Sequence, residues 1–397
     1  MDMTVAEEAK ALSEKIITWR RALHQIPETG LHCPRTAALI QKELDSLGIP
    51  WQAYPDHSGI TAMLGRRGGT VIALRADMDG LPVREENRVP YASRNGCMHA
   101  CGHDAHAAML LGAAALLKKR ESRLRGGVEL IFQPGEEDLT GARAMLADGV
   151  LEHPKVTRMY TLHVGSIAGQ KAETGTLLWK KGAVFASSNS FRIRVKGKGG
   201  HASTPFLAVS PILAAQRIIS SLEGMVNRET TYNVPSVIVF TGIRAGSGAY
   251  NIIPDRAEII GGMRTQSLEV RDFLMRRMQE VTRACAAACG ASAELEFVET
   301  CPPVINDAEA VEIFLKAARK VLPDSAIEEL QYSTMGGEDA AYYFTQVPGC
   351  YAFLSNAVPY ADGKEYPHHS SRFCIDDSVL WRGSGVLAQV CLDETGA

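Results

Sequence analysis

A chain of 397 residues exceeds what one hydrophobic core usually serves, so two domains are the expectation. With 46% hydrophobic and 22% charged residues it reads as globular, and a formal charge of -3 offers no broad basic field for nucleic acid or an anionic membrane. The start, Met1-Asp-Met-Thr-Val-Ala-Glu-Glu8, lacks the basic and apolar regions of a secretory signal. No apolar stretch approaches the roughly 20 residues of a membrane span, and a cytoplasmic location is expected. Nine cysteines scattered from Cys33 to Cys391 follow no disulfide framework and read as mostly reduced.

In chain order, residues 5 to 23 have helical apolar spacing, and a second helix is predicted from about Arg35 to Leu47. Thr70–Arg75, Val128–Phe132 and Arg158–Leu162 are continuous apolar runs of strand length, which suit a sheet covered on both faces by helices. Ala107 to Arg120 reads as a helix rich in small residues with a basic end, and Asp104 is placed to cap its start. From about Ser187 the pattern changes. Phe191-Arg-Ile193-Arg-Val195-Lys196 alternates apolar and basic with period two, as in a sheet with one wet face. A helix (Pro211 to Leu222), two strands (Ser236 to Thr241, Ala257 to Arg264), a long helix (Leu268 to Cys289) and a last strand (Ala293 to Val298) complete β-α-β-β-α-β, the order of a ferredoxin-like two-layer sandwich. Its basic strand face, Arg192, Arg194, Lys196 and Lys198, reads as solvated surface. From Asp307 the chain returns to long helix and apolar strand (Gly349 to Leu354). The expected architecture is therefore α/β: a discontinuous domain, 1–186 with 300–397, whose mixed sheet is sandwiched by helices, and an inserted α+β domain, 187–299.

Chemistry concentrates in Cys97-Met-His99-Ala-Cys101-Gly-His103-Asp104-Ala-His106, where two cysteines, three histidines and an aspartate fall within ten residues. Thiolate, imidazole and carboxylate are the donors zinc and neighbouring divalent metals take, so the stretch reads as part of a metal site. Four other places can join it: Arg75-Ala-Asp77-Met-Asp79, Gln133-Pro-Gly-Glu136-Glu137-Asp138, His163 at a strand end, and Pro367-His368-His369. Adjacent glutamates point in different directions from a loop, so one can hold metal while the other faces water. Metal-assisted hydrolysis needs that division. Alone, Glu136-Glu137 reads as a solvated acidic loop and His163 as a hydrogen-bonded core histidine; their joint occurrence at strand ends favours a site.

The strings Leu74-Arg-Ala-Asp-Met-Asp-Gly-Leu-Pro82, His99-Ala-Cys-Gly-His-Asp-Ala-His106, Phe132-Gln-Pro-Gly-Glu-Glu137, Gly199-Gly-His201-Ala-Ser203 and Asn251-Ile-Ile-Pro254 resemble the metal-dependent aminoacylase family, which holds hippurate hydrolase, N-acyl-amino-acid amidohydrolases, auxin-conjugate hydrolases and related carboxypeptidases. The likeness runs in the family's order along nearly the whole chain. It implies a dinuclear site with Cys101, His103, Glu137, His163 and His369 as ligands, two divalent ions (zinc or manganese, with cobalt or nickel as alternatives) and Glu136 as general base to a metal-bridging water. It further implies a lid that carries His201, Asn251 and Arg264 for the substrate. In related dimers the lid histidine reaches the partner subunit's site, so a homodimer or higher oligomer through the lid is expected, with a small molecule as substrate. The wider family has a ligand histidine where this chain has Asp77, which leaves Asp77 either ligand or structural, with Asp79 orienting the site from behind. Either His368 or His369 could be the C-terminal ligand, and the resemblance implies His369, whose spacing to Arg372-Phe373 fits the family's pattern. Met335-Gly-Gly-Glu338-Asp339 resembles a loop near the family's substrate.

The reaction so implied is hydrolysis of an N-acyl or N-aroyl amino acid to a carboxylic acid and an amino acid. A dipeptidase or carboxypeptidase is the alternative, because a peptide bond is an acylated amino acid too. From a different class, Gly197-Lys-Gly199-Gly-His-Ala202 partly matches a dinucleotide fingerprint, a remote nicotinamide-oxidoreductase reading. A metal-holding protein without catalysis is disfavoured by the retention of both Glu136 and Glu137.

Overall fold

The computed structural model describes residues 3–66, 68–165, 169–356, 358 and 363–396. Its contacts divide the chain into two units, one of residues 1–184, 305–333 and 339–397, the other of residues 185–304 and 334–338.

The larger unit is mixed α/β. Its eight-stranded sheet runs, edge to edge, Trp51–Ala53, Ile60–Gly65, Gly127–Gln133, Val71–Asp77, Arg158–Val164, Gly349–Leu354, Leu177–Trp179 and Ile327–Glu329. The four strands in the middle, Gly127–Gln133 through Gly349–Leu354, are mutually parallel and almost wholly buried, which is why their sequences read as continuous apolar runs. Register pairs Asp77 with Gln133, Arg75 with Thr161 and His163 with Phe353, so the polar residues that end these strands share one edge.

Helix His103–Lys119 lies against this sheet, buried from His103 to Leu117. Its run of alanines lets the C-terminal helix Leu380–Glu394 approach closely enough for Ser384 Oγ to donate to the Met109 carbonyl at 2.9 Å. The apolar run at residues 5–23 forms two helices, Val5–Ala11 and Ser13–His24, because Leu12 (φ -86°, ψ -5°) closes the first and opens the second. Among the described residues no helix is long and apolar enough to cross a membrane, and all nine cysteines are free thiols.

The smaller unit holds a four-stranded antiparallel sheet ordered Ser236–Ala245, Arg256–Thr265, Ser188–Lys196, Ser292–Cys301, with helices Pro211–Glu229 and Leu268–Ala287. Phe191, Ile193 and Val195 point into a core with Ile218, Leu222, Leu274 and Met278, while Arg192, Arg194 and Lys196 take the other face. Two strands run further than the alternation in sequence suggests. Register shifts at Phe240/Gly242 and Phe297/Glu299 explain this, because a bulge reverses the phase of a period-two pattern. The Gly197–Ala202 fingerprint enters a short strand, Gly200–His201, paired antiparallel with Ile252–Ile253. A dinucleotide site needs a parallel strand feeding a helix there, so the oxidoreductase reading is corrected.

Candidate metal centre

The site begins at Gly102. Its φ of +90° lies in the left-handed region, and an added Cβ would come within 2.4 Å of Val164 Cγ2. Only glycine satisfies both demands, and the sharp turn it makes presents Cys101 before the helix and His103 in its first turn. Asp104 does not cap this helix. The cap residue is Gly102, and the Asp104 carboxylate instead meets Arg20 Nε at 2.8 Å and His24 Nδ1 at 2.8 Å. These two basic groups, four residues apart on helix Ser13–His24, are a buried signal that the sequence reading missed. Polar residues on the face that buries Ile16 and Leu23 are where it shows.

Donor atoms converge on this turn from four other segments, all in the larger unit. Cys101 Sγ lies 3.5 Å from His163 Nε2 and 3.7 Å from His368 Nδ1. His103 Nε2 stands 3.8 Å from a Glu136 oxygen, 3.8 Å from a Glu137 oxygen and 3.9 Å from Asp77 Oδ2. His369 Nε2 is 3.4 Å from Glu137 Oε2. Most of these separations are too long for hydrogen bonds, and His103 Nε2, fully buried, has no hydrogen-bond partner. Donors bound to one tetrahedral ion at about 2.0–2.3 Å stand about 3.3–3.8 Å apart, so the spacing resembles the shell of a divalent cation. Residue types and spacing both fit such an ion.

The groups behind the donors fix their orientation. The Asp79 carboxylate accepts the backbone N–H groups of Glu136 (3.1 Å) and Glu137 (3.2 Å) and lies 3.4 Å from His103 Nδ1. His163 donates through Nδ1 to the Val164 carbonyl at 2.7 Å, which leaves Nε2 bare toward the Cys101 sulfur. His106 accepts the Val164 N–H at Nε2 (2.8 Å), so its Nδ1 carries the proton and donates it to Asp77 Oδ1 at 2.5 Å. Asp77 Oδ2 accepts from Arg75 at 2.8 Å. Both Asp77 oxygens are thus engaged within the protein. Arg75 also reaches Gln133 (2.9 Å) and Asp339 (3.0 Å), and Asp339 accepts from Gln133 (2.7 Å) and the Ala142 N–H (2.8 Å). His99 donates to the Asp79 carbonyl at 3.1 Å, and burial pushes its pKa down to about 4.

Charge is unevenly distributed. Burial works against a charged His103, yet the Asp77 charge, the nearby Asp79 carboxylate and the Cys101 sulfur raise its pKa well above the ordinary value. Burial, and then the neighbouring histidines, push His163 well down and His368 down to about 3; burial and His103 lower His369. These shifts favour the neutral imidazole, the form that binds metal. Burial pushes the Cys101 thiol up.

His369 adopts φ +68°, a conformation that costs a non-glycine residue about 1–2 kcal/mol. Its N–H donates to the Ala100 carbonyl at 2.8 Å, which ties this segment to the Cys101 turn. The segment is also held by the irregular stretch before Cys97: Glu86 N–H donates to the Ser371 carbonyl (2.9 Å), Asn87 Nδ2 to the Phe373 carbonyl (2.8 Å), and Arg372 to Glu86 (2.8 Å).

The substrate residues expected from the smaller unit do not gather in one place. His201 is exposed and accepts from the Ser203 N–H at 3.1 Å, and the next residue, Ala202, donates to the Asn251 carbonyl at 3.0 Å, so His201 and Asn251 adjoin. Arg264 sits eight residues beyond Arg256 on the same strand, about 26 Å along it at ~3.3 Å per residue, and donates to the Met335 carbonyl at 2.9 Å.

A parallel sheet edge that gathers cysteine, histidine and glutamate donors around a pair of adjacent glutamates defines a metallohydrolase type of site. Residues 73–393 match the family model for peptidase family M20/M25/M40, and the chain belongs to this family. It is 36% identical to an N-acetylcysteine deacetylase of Bacillus subtilis over 96% of this chain and 97% of that protein, and 36% identical to thermostable carboxypeptidase 2 of Saccharolobus solfataricus over 95% and 94%. Among solved structures it resembles the Bacillus subtilis YXEP protein, described as a dinuclear metal-binding peptidase of the M20 family, with a TM-score of 0.82, 32% identity and coverage of 98% and 99%. The chain is accordingly a hydrolase of amide or peptide bonds, as the aminoacylase resemblance implied.

Proposed function

We propose that this protein hydrolyses the amide bond of N-acyl or N-aroyl amino acids of the hippurate type, releasing a carboxylic acid and an amino acid. The observation that carries the reading is the set of donors spaced 3.4–3.9 Å apart with two adjacent glutamates at its rim. Two divalent ions held by Cys101, His103, Glu137, His163 and His369 would supply a water of lowered pKa and an electrostatic hold on the substrate carbonyl oxygen. Zinc and manganese suit these donors best, with cobalt and nickel as alternatives.

Glu136 is the general base. It takes a proton from the attacking water as oxygen adds to the amide carbon, and delivers it to the nitrogen as the C–N bond breaks. Asp79 positions it, because the two N–H groups that Asp79 accepts fix the turn from which Glu136 and Glu137 diverge. Asp77, with both oxygens engaged, orients His106 rather than binding metal. In the smaller unit, His201 donates to the developing oxyanion and Asn251 lies beside it, while Arg264 suits the substrate carboxylate.

The distance of about 26 Å along the strand between Arg256, near Asn251, and Arg264 favours a homodimer in which one protomer's lid serves the other's site. Edge strand Ser236–Ala245 supports this, with Val237, Val239 and Ile243 exposed on its outer face.

The deacetylase and carboxypeptidase relatives leave a dipeptidase or carboxypeptidase as the second reading. A mass-spectrometric screen of N-acyl amino acids and dipeptides, after reconstitution with each metal, separates the two. Release of amino acids from dipeptides alone would overturn the acyl-amino-acid assignment. Cys101→Ala should lose metal by elemental analysis, and unchanged stoichiometry would remove it from the ligand set.

A further inference from the structure

Two consecutive histidines end the donor list, and only His369 belongs to the ligand set proposed above. His368 is the more enclosed of the two. Its ring packs against Phe373 at a centroid distance of 4.5 Å and against His163 at 5.3 Å. Space for it is made by Gly165, where an added Cβ would stand 2.5 Å from His368 Nε2, and where φ of +78° also calls for glycine. Held in this way, the ring directs Nδ1 toward Cys101 Sγ at 3.7 Å, while His163 Nε2 meets the same sulfur at 3.5 Å.

Donor counting gives the ring a purpose. Among the described residues, ligand atoms within 4.8 Å of one another form five trios: Cys101–His163–His368, Cys101–Glu137–His369, His103–Glu136–Glu137, His103–His106–His163 and Glu136–Glu338–Asp339. In the fourth, both His106 nitrogens are already engaged, by the Val164 N–H and by Asp77. A divalent ion in a catalytic site generally keeps three protein donors. The corner formed by Cys101 and His163 reaches that number through His368, whereas His369 faces Glu137. The left-handed backbone at His369 turns these neighbouring side chains to different donors.

Resting on the dinuclear reading above, we propose that His368 is itself a metal ligand, completing a three-donor set with Cys101 and His163, while His369 serves the set that contains Glu137.

The test uses the full chain, stripped with chelator and reloaded with zinc or cobalt(II). His368→Leu should retain about one ion fewer after dialysis, or release one ion at a chelator concentration at least about tenfold lower. In the cobalt form its thiolate-to-metal absorption should shift, because the affected ion is the one beside Cys101. His368→Cys, which restores a donor, should recover the stoichiometry. Circular dichroism and melting of the metal-free variants separate loss of a ligand from loss of fold. A His368→Leu protein that keeps the parent's stoichiometry, chelator midpoint and cobalt spectrum overturns the proposal, as does a variant whose metal loss is matched by metal-free unfolding and is not rescued by cysteine. Parent protein that takes up no divalent ion would instead overturn the dinuclear reading itself.

Discussion

Arg75 meets Asp339 at 3.0 Å and Arg194 meets Glu296 at 2.9 Å, one pair in each unit of the molecule. Length does not distinguish them; surroundings do. The first pair has side chains 1% and 0% exposed, the second 53% and 50%. In the larger unit charge is turned inward: Arg75, Asp77, Gln133 and Asp339 form one buried network, and Arg20, His24, Glu85 and Asp104 another. In the smaller unit the charged side chains of Ser188–Lys196 lie on the wet face, and the core beneath is apolar. Buried polar groups specify position because leaving one unpaired is costly, whereas exposed pairs exchange readily with water. The unit with inward charge is the one in which the candidate metal donors converge.

The largest expected effect is catalytic. Glu136→Gln keeps the shape of the turn and removes the base, so turnover should fall by about 10²–10⁴-fold while metal content stays near normal. Hydrolysis at the parent rate would withdraw Glu136 from its role. Next comes the buried network. Arg75→Met leaves Asp77 and Asp339 without their cation and should cost about 3–5 kcal/mol in urea unfolding of the metal-free protein. A loss below about 1 kcal/mol would mean that the inward charge does not organise this unit.

A smaller effect carries a pH signature. His24 offers Nδ1 to Asp104 at 2.8 Å and Nε2 to Glu85 at 3.1 Å, with Arg20 Nη2 3.3 Å from the same Nδ1, and an imidazolium donates to both carboxylates. Burial opposes the charge, but Asp104 and then Glu85 overcome it and raise the His24 pKa above 6.5. Stability from this group is therefore fully present below about pH 6.5, the unfolded value, and is lost as pH rises through the raised folded value. His24→Gln should cost about 1–3 kcal/mol at pH 6 and less at pH 9. A gap that does not narrow between the two would show that His24 is held neutral.

Much of this organisation was legible in the sequence because residue type and period carry it. Continuous apolar runs announced the buried parallel strands, and alternation at Phe191–Lys196 announced a sheet with one wet face. Cys101, His103, Glu136, Glu137 and His163 were conspicuous by chemistry. What stayed hidden depends on distance across the chain. Arg20 and His24 look like ordinary members of an amphipathic helix until Asp104 is brought against them, and nothing local says that both oxygens of Asp77 are engaged. The strand ends beyond Thr241 and Val298 were lost at bulges, where alternation changes phase. His368 and His369 could be ranked only by the spacing to Arg372 and Phe373, whereas the fold sends one ring toward sulfur and the other toward a carboxylate.

The smallest expected effect tests the other half of the comparison. Arg194 and Glu296 lie diagonally on paired strands, since register sets Arg192 opposite Glu296 and Arg194 opposite Glu294. Their contact is diagonal, made by two half-exposed side chains that give up rotamer freedom to meet. An exposed pair of this kind contributes about 0–1 kcal/mol and is screened by salt. Arg194→Ala should therefore shift the urea midpoint little, and the shift should shrink further in about 1 M salt, where the screening length falls to about 3 Å. A double-mutant cycle with Glu296→Ala isolates the pair from the side-chain stems. A coupling of about 2 kcal/mol or more, unaffected by salt, would place this pair in the same class as Arg75–Asp339. The smaller unit's wet face would then be shielded by something other than solvent, and a second protomer lying over it is the arrangement that sedimentation of the Arg194→Ala protein would detect.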